Sequence, residues 1–379
     1  MRKVISCFIL LVANTVLLRP VLAQSATSEP VGFTTTSLLA NSDTLISIPF
    51  TRLPESTGAV QSISGNVITV AGTPGWTTNQ FVYVAGIQPK TYFVLIGEGA
   101  APNPKEGHSY LVTANGTNTL AVDTSTDTLA GITTGTRVIV IPYWTPATIF
   151  PPSDANVSFT PTTSTSSYKT ELLVPDNTAA GTGLPVTTYF FSNNVDGTPN
   201  NIGWRVVGSN TTDRGDDPLL PNRYFVVRNL NGSPTLPLKG IGAVLMKKFS
   251  TPLRTLATQA QDNAVSMIRP IDVTLNQTGL SPKDGSFIPT LEDQSLGPRF
   301  SVKDQLLLFD NSVAAFDKQP SAVYYYGQGL AQRGGWRLFG DPLAGDHGND
   351  VIPAGSAMLL RKAKTASDGT VFWINAPTY

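Results

Sequence analysis

The side chains able to move protons or hold cations are few in this chain. Its histidines are His108 and His347, and its glutamates are Glu29, Glu55, Glu98, Glu106, Glu171 and Glu292. The histidines lie far apart, so a zinc site would have to combine one of them with carboxylates. His347, inside Asp346-His347-Gly348, reads as a solvated turn residue. Glycoside hydrolysis needs two facing carboxylates, and no glutamate here recurs at a regular offset. The sequence holds no H-E-x-x-H helix, nucleophile elbow, Walker loop or dinucleotide fingerprint. It therefore reads as a non-enzyme with no organic cofactor.

Aspartates cluster in two places, Asp213, Asp216 and Asp217, then Asp341, Asp346 and Asp350 with Asn349. Calcium takes several oxygen ligands from such loops, which makes Asp213, Asp216, Asp217, Asp346 and Asp350 candidate ligands. Neither cluster has the D-x-D-x-D-G ladder, and Asx turns place these residues in tight loops without any ion. Arg214-Gly215-Asp216 is too short a triplet to assign a receptor. The remaining candidates are aromatic: Trp204 followed by Arg205, and Trp336 followed by Arg337. On a strand the Trp and Arg of each pair face opposite ways. If each Trp faces inward it anchors a core, and its Arg points outward. If it faces outward it offers a platform for a sugar ring, which makes Trp204, Arg205, Trp336 and Arg337 candidate binding residues. Trp is mostly buried and large rings dominate cores, so the core reading is favoured.

These tryptophans belong to ordered, matching blocks. Gly203-Trp204-Arg205-Val206-Val207-Gly208 matches Gly335-Trp336-Arg337-Leu338-Phe339-Gly340 at an offset of 132. Tyr189-Phe190-Phe191 and Tyr324-Tyr325-Tyr326 precede them, and Pro221 and Pro353 follow. Leu172-Leu173-Val174-Pro175-Asp176-Asn177 mirrors Leu306-Leu307-Leu308-Phe309-Asp310-Asn311 at an offset of 134. Order and near-constant spacing predict a tandem duplication. A weaker match pairs Ser42–Pro49 with Gln261–Ile268. From Asp43 to Asp176 is 133 residues but from Asp262 to Asp310 only 48, so the first copy carries an insertion. That insertion is rich in hairpin signals, Ser64-Gly65-Asn66 and Asn115-Gly116 between alternating β-branched residues. With Val82–Val84, Tyr92–Ile96 and Arg137–Ile141 as further strands, it predicts a small closed barrel.

The fold expectation is all-β: two tandem, jelly-roll-like β-sandwich modules, the first interrupted by a barrel-like insert. The expected divisions are a signal peptide over 1–23, a first sandwich over 24–54 plus 145–242, the insert over 55–144, and a second sandwich over 243–379. Leu253–Gln261, free of Gly and Pro, is the best helix candidate. The Thr/Ser tract Ser158–Thr170 reads as a solvated loop.

Composition sets the compartment and the partners. Met1-Arg2-Lys3, the apolar run Val4–Leu18 and Val21-Leu22-Ala23 before Gln24 have the pattern of a cleaved leader. The single cysteine, Cys7, lies inside it, so the mature chain is cysteine-free. Charged residues make up 14%, against about 25% in an average soluble domain. Lys+Arg and Asp+Glu are both 26, which leaves no basic field for nucleic acid. Pro-rich short strands, with Pro377 near the terminal Tyr379, argue against an outer-membrane barrel. These features predict export to periplasm, surface or medium, and a structural or adhesive role. The alternative is carbohydrate binding, with extracellular polysaccharide or other envelope proteins as partners.

Pro30-Val31-Gly32-Phe33, Ile48-Pro49-Phe50-Thr51-Arg52, Pro142-Tyr143-Trp144-Thr145, Phe309-Asp310-Asn311 and Phe372–Tyr379 together resemble an uncharacterised, paralogous family of exported verrucomicrobial proteins. The resemblance spans nearly the whole chain after the leader and implies export and fold. Gly335–Pro342 with Ile352-Pro353-Ala354-Gly355 is also similar to jelly-roll modules of secreted bacterial surface proteins, which read Gly-Trp-Asn where this chain has Gly-Trp-Arg.

Overall fold

The computed structural model describes residues 29–84, 87–100, 103–151, 158–199, 201–209, 211–230, 232–291, 302–328, 334–340 and 345–377. The expected leader, with Cys7, and Glu292, Asp341 and Tyr379 lie outside the described residues. Short strands are the dominant regular structure of what is described. β1 (Val31–Leu38) and β2 (Ser42–Ile46) are joined by a turn in which Asn41 takes a φ of 50°, a conformation Asn tolerates well. Then come β3 (Ser56–Ser64), β4 (Val67–Val70), β5 (Tyr92–Ile96), β6 (Ser109–Asn115), β7 (Thr119–Val122) and β8 (Arg137–Pro142). These six close into a barrel in the order β3-β4-β7-β6-β5-β8. Gly65, at a φ of 58°, makes the β3–β4 hairpin turn. Val82-Tyr83-Val84 does not join as a strand. Tyr83 and Val84 are exposed, and Val84 makes only an isolated bridge to Gln88.

Alternation explains the continuous apolar runs of β5 and β8. Tyr92, Val94, Ile96, Val138 and Val140 fill the barrel interior with Val60, Ile68 and Leu120. Their neighbours Phe93, Leu95, Ile139 and Ile141 point outward, yet they are buried against Leu245, Phe249 and Ile268. A strand buried on both faces needs no polar positions. The outer face of the barrel is thereby fastened to the segment that begins the second sandwich.

The first sandwich resumes after a one-turn helix, α1 (Pro146–Ile149), capped by Thr145. Its strands are β9 (Thr170–Pro175), β10 (Val186–Asn193), β11 (Ile202–Val206), β12 (Phe225–Asn229) and β13 (Leu236–Ala243). The main sheet runs β11-β10-β9-β12-β2, and β1 pairs with β13 in a separate ribbon. Leu38 and Leu238 of the ribbon join Leu172, Trp204, Phe225 and Val227 of the sheet in one core. The tract before β9 is more than a solvated loop. Phe159 and Thr162 are wholly buried, and Thr162 bridges Ser192.

The second sandwich contains β14 (Phe249–Thr255), β15 (Gln261–Ser266), β16 (Val273–Thr274), β17 (Thr290–Leu291), β18 (Gln305–Leu308) and β19 (Ala322–Gln328). It ends with β20 (Gly335–Leu338), β21 (Val351–Ile352), β22 (Ala357–Lys362) and β23 (Gly369–Asn375). Its sheet follows β15-β22-β18-β19 with β20 paired to β19, and β14–β23 form the covering ribbon. The expected helix over Leu253–Gln261 is absent. Its first residues extend β14, whose Leu253 is fully buried and paired with Val371. Tertiary pairing overrides a helix propensity that two turns cannot sustain alone.

Each main sheet ends in an edge strand, β2 in the first and β15 in the second. An open edge leaves unpaired N–H and C=O groups that invite aggregation. Here each sandwich closes the other's edge. On β2, Asp43 N–H donates to Ala315 O (2.9 Å) and Ser47 N–H to Gly355 O (3.1 Å). Between them Asn311 accepts from Leu45 N–H (3.0 Å) and donates to Leu45 O (2.7 Å). On β15, Asp262 N–H donates to Gly181 O (3.0 Å) and Ser266 N–H to Asn222 O (3.0 Å). Asn177 accepts from Ala264 N–H (2.6 Å) and lies 3.4 Å from Ala264 O, to which it donates. The carboxylates follow the same scheme. Asp43 holds Arg228 bidentately at 2.7 Å and accepts from Asp317 N–H (2.8 Å). Asp262 holds Arg361 (2.8 and 3.1 Å) and accepts from Gly183 N–H (3.0 Å). Each of these contacts on one edge has its counterpart on the other.

Candidate functional site

Beside this junction the barrel and both sandwiches enclose a cleft of about 950 Å³, within the size range of small-ligand sites. The barrel contributes Thr124–Thr128. The first sandwich contributes Asn177, Thr178, Leu220 and Arg223, and the second Arg254, Thr255, Asn263, Asp368, Thr370 and Phe372. Most of these groups are hydroxyls, amides and two guanidinium ions. Arg223 donates to Ala264 O (3.0 Å) and Pro252 O (2.9 Å), and burial lowers its pKa to about 10. Arg254 donates to Thr178 O. Asn263 ties down the backbone of Arg254, accepting from its N–H at 2.8 Å and donating to its carbonyl at 3.1 Å.

Asp127, on the barrel wall of the cleft, is the centre of a charged cluster. Its carboxylate binds Lys105, His108 Nδ1 (2.6 Å) and the Tyr110 hydroxyl (2.6 Å). The His108 ring lies 4.3 Å from that of Phe372 on β23. Burial pushes the Asp127 pKa up, but the hydrogen bonds from His108, Lys105 and Tyr110 outweigh it and hold the pKa at about 2. Such a carboxyl stays ionised at neutral pH; it ties its loop to Lys105, His108 and Tyr110 within the barrel, and the His108 ring in turn meets Phe372. A carboxyl whose folded pKa lies below its unfolded value of about 3.9 stabilises the fold above that value, and the contribution disappears as pH falls towards the folded pKa. Acid titration between pH about 4 and about 2 should therefore loosen the barrel, read by near-UV circular dichroism. Asp127→Asn should flatten that part of the profile; an unaltered profile would exclude Asp127 as its source.

The residues singled out from sequence lie elsewhere. Trp204 and Trp336 are each 1% exposed, so neither presents a face to a sugar. Arg205 and Arg337 do face away from the tryptophans, but they are buried as well, at 5% and 4% exposure. Arg205 curls back onto Trp204 O (2.9 Å) and Asn201 Oδ1 (3.0 Å). Pointing outward from the tryptophan core does not bring either arginine to solvent.

The aspartates are engaged as local staples. Asp213 Oδ1 accepts from Trp204 N–H (3.0 Å) and Gly215 N–H (3.1 Å); Asp346 Oδ1 accepts from Trp336 N–H (2.8 Å) and Gly348 N–H (3.1 Å). Asp217 accepts from the Tyr189 hydroxyl (3.0 Å), and Asp350 from that of Tyr324 (2.9 Å). Asp350 also pairs with His347 Nδ1 at 2.8 Å. Burial, with the charges of Asp213 and Asp217, raises the pKa of Asp216. Among the described residues no group of three or more His, Cys, Asp or Glu converges as metal ligands do.

Sequence reasoning did not single out the junction residues as functional. Only their equivalence was legible, since Asp43 and Asp262, and Asn177 and Asn311, occupy matched positions in the blocks. Comparison with family models, curated proteins and solved structures finds no match.

Proposed function

We propose that this protein is an exported, non-enzymatic component of the cell envelope or surface, structural or adhesive in role. Its scaffold would be one β-sandwich in two tandem copies. The observation that carries this reading is the mutual closure of β2 and β15, which joins the two sandwiches by hydrogen bonds without any disulfide. A low charge density and a leader-like N-terminus support the compartment. Fractionation of the source cells, with protein sequencing of the N-terminus, tests it. The expected product is an envelope or extracellular chain beginning at Gln24; an unprocessed cytoplasmic chain would refute the proposal.

The cleft favours carbohydrate as the ligand of an adhesive role, since its hydroxyl, amide and guanidinium groups match polyhydroxylated chains. On a polysaccharide array the protein should bind, and Arg254→Ala should weaken binding about tenfold, the loss of one charge-assisted hydrogen bond. A clean negative on the array would remove the carbohydrate reading and leave the structural one.

A further inference from the structure

Lys362 and Asp304 are both fully buried, with their side chains at 0% exposure and in direct contact. They stand opposite one another on neighbouring segments of the sheet, one position beyond the Gln305–Arg361 pair of β18 and β22. Directly opposed cross-strand residues have Cβ atoms about 4.5–5.5 Å apart, which brings a lysine amine within reach of an aspartate carboxyl carbon. The Lys362 ammonium also donates to Ser286 O (2.7 Å). Both carboxylate oxygens are held by backbone: Oδ2 accepts from Ile288 N–H (2.6 Å) and Oδ1 from Ala363 N–H (2.7 Å).

The fold does not require charge here. In the first sandwich the corresponding cross-strand pair is Thr170 and Asn229, also buried, with the Thr170 hydroxyl donating to Asn229 Oδ1 at 2.9 Å. A neutral pair satisfies that register, whereas an ion pair withdrawn from water carries a large desolvation cost. The second sandwich thus holds an expensive pair at a position where an inexpensive one suffices.

We propose that Lys362 and Asp304 condense into an intramolecular amide that covalently joins β22 to the start of β18. A proton passes from the ammonium to Oδ2, and the freed amine attacks the carboxyl carbon of Asp304. The C–N bond forms as the bond from that carbon to Oδ2 breaks. Oδ2 departs as water with a second proton from the nitrogen, so no oxidant or external reactant is needed. The Ala363 N–H, already on Oδ1, faces the charge that develops on that oxygen in the tetrahedral intermediate. Burial raises the Asp304 pKa and lowers that of Lys362, both of which favour the neutral pair from which attack proceeds. Fixed proximity and exclusion of water supply the drive that free amine and acid lack. The inference is independent of where the protein resides.

Intact mass spectrometry of the folded protein tests this. Its mass should fall short, by one water, of that calculated from the sequenced N-terminus, and digestion should release a branched peptide joining Lys362 to Asp304. Asp304→Asn should give the same branched peptide with ammonia lost in place of water. Lys362→Arg should restore the full calculated mass, and if that variant does not fold, the wild-type branched peptide decides alone. A full wild-type mass, or a missing water without the branched peptide, would overturn the proposal.

Discussion

Replacing Trp336 by alanine should destabilise the protein by about 3–5 kcal/mol, the range for a buried large-to-small aromatic deletion. The indole is 1% exposed and packs at 5.0 Å from Phe287 and 5.6 Å edge-on to Tyr326. It is locked from both sides, since the Trp336 N–H is held by Asp346 and the ring fills the space between β20 and the covering ribbon. Trp204→Ala should cost a similar amount. That ring sits among Phe150, Phe159 and Phe191 at 5.9, 4.7 and 5.6 Å. Denaturant unfolding of each variant measures the effect. A loss below about 1 kcal/mol, typical of a surface substitution, would show that the tryptophans are not core anchors.

The second large effect is expected at the junction. Asp262 is 1% exposed, accepts from Arg361 and Gly183, and donates its own N–H to Gly181. Asp262→Ala leaves a guanidinium and a backbone N–H without their acceptor, and breaking such a buried pair costs about 3–5 kcal/mol. The Arg361 side chain keeps 32% exposure, so the lower end, about 3 kcal/mol, is expected. Asp43→Ala should follow it at a somewhat smaller cost, because Arg228 keeps the Asp317 carboxylate as a second partner. The measurement is again equilibrium unfolding, with Asp262→Asn as the milder comparison. If Asp43→Ala and Asp262→Ala differ widely, or both are silent, the two edges are not closed in the same way.

What the sequence made legible was local or periodic. The Trp204 and Trp336 blocks could be aligned because a buried aromatic tolerates few substitutes. The hairpin turn at Gly65 could be read because its positive φ favours glycine. The misreadings share one cause, namely packing from distant chain. Leu253 lies in a stretch with helix-compatible residues, and only its pairing with Val371 makes it strand. Arg205 alternates with Trp204 as expected, but alternation fixes the face and not what covers it. The junction was the least legible part. Asn311 and Leu45 are 266 residues apart and Asn177 and Ala264 are 87 apart, distances at which one sequence carries no pairing signal. The cleft was invisible for the same reason, since separate segments of the barrel and both sandwiches wall it.

Amide hydrogen exchange resolved at Leu45 and Ala264 tests the reciprocal closure most directly. Both N–H groups lie on sheet edges and owe their protection to one side chain of the opposite sandwich, Asn311 for Leu45 and Asn177 for Ala264. Asn311→Ala should expose Leu45 while Ala264 stays protected, and Asn177→Ala should do the reverse. Slow exchange at both amides in both variants would contradict the closure and, with it, the joining of the two sandwiches.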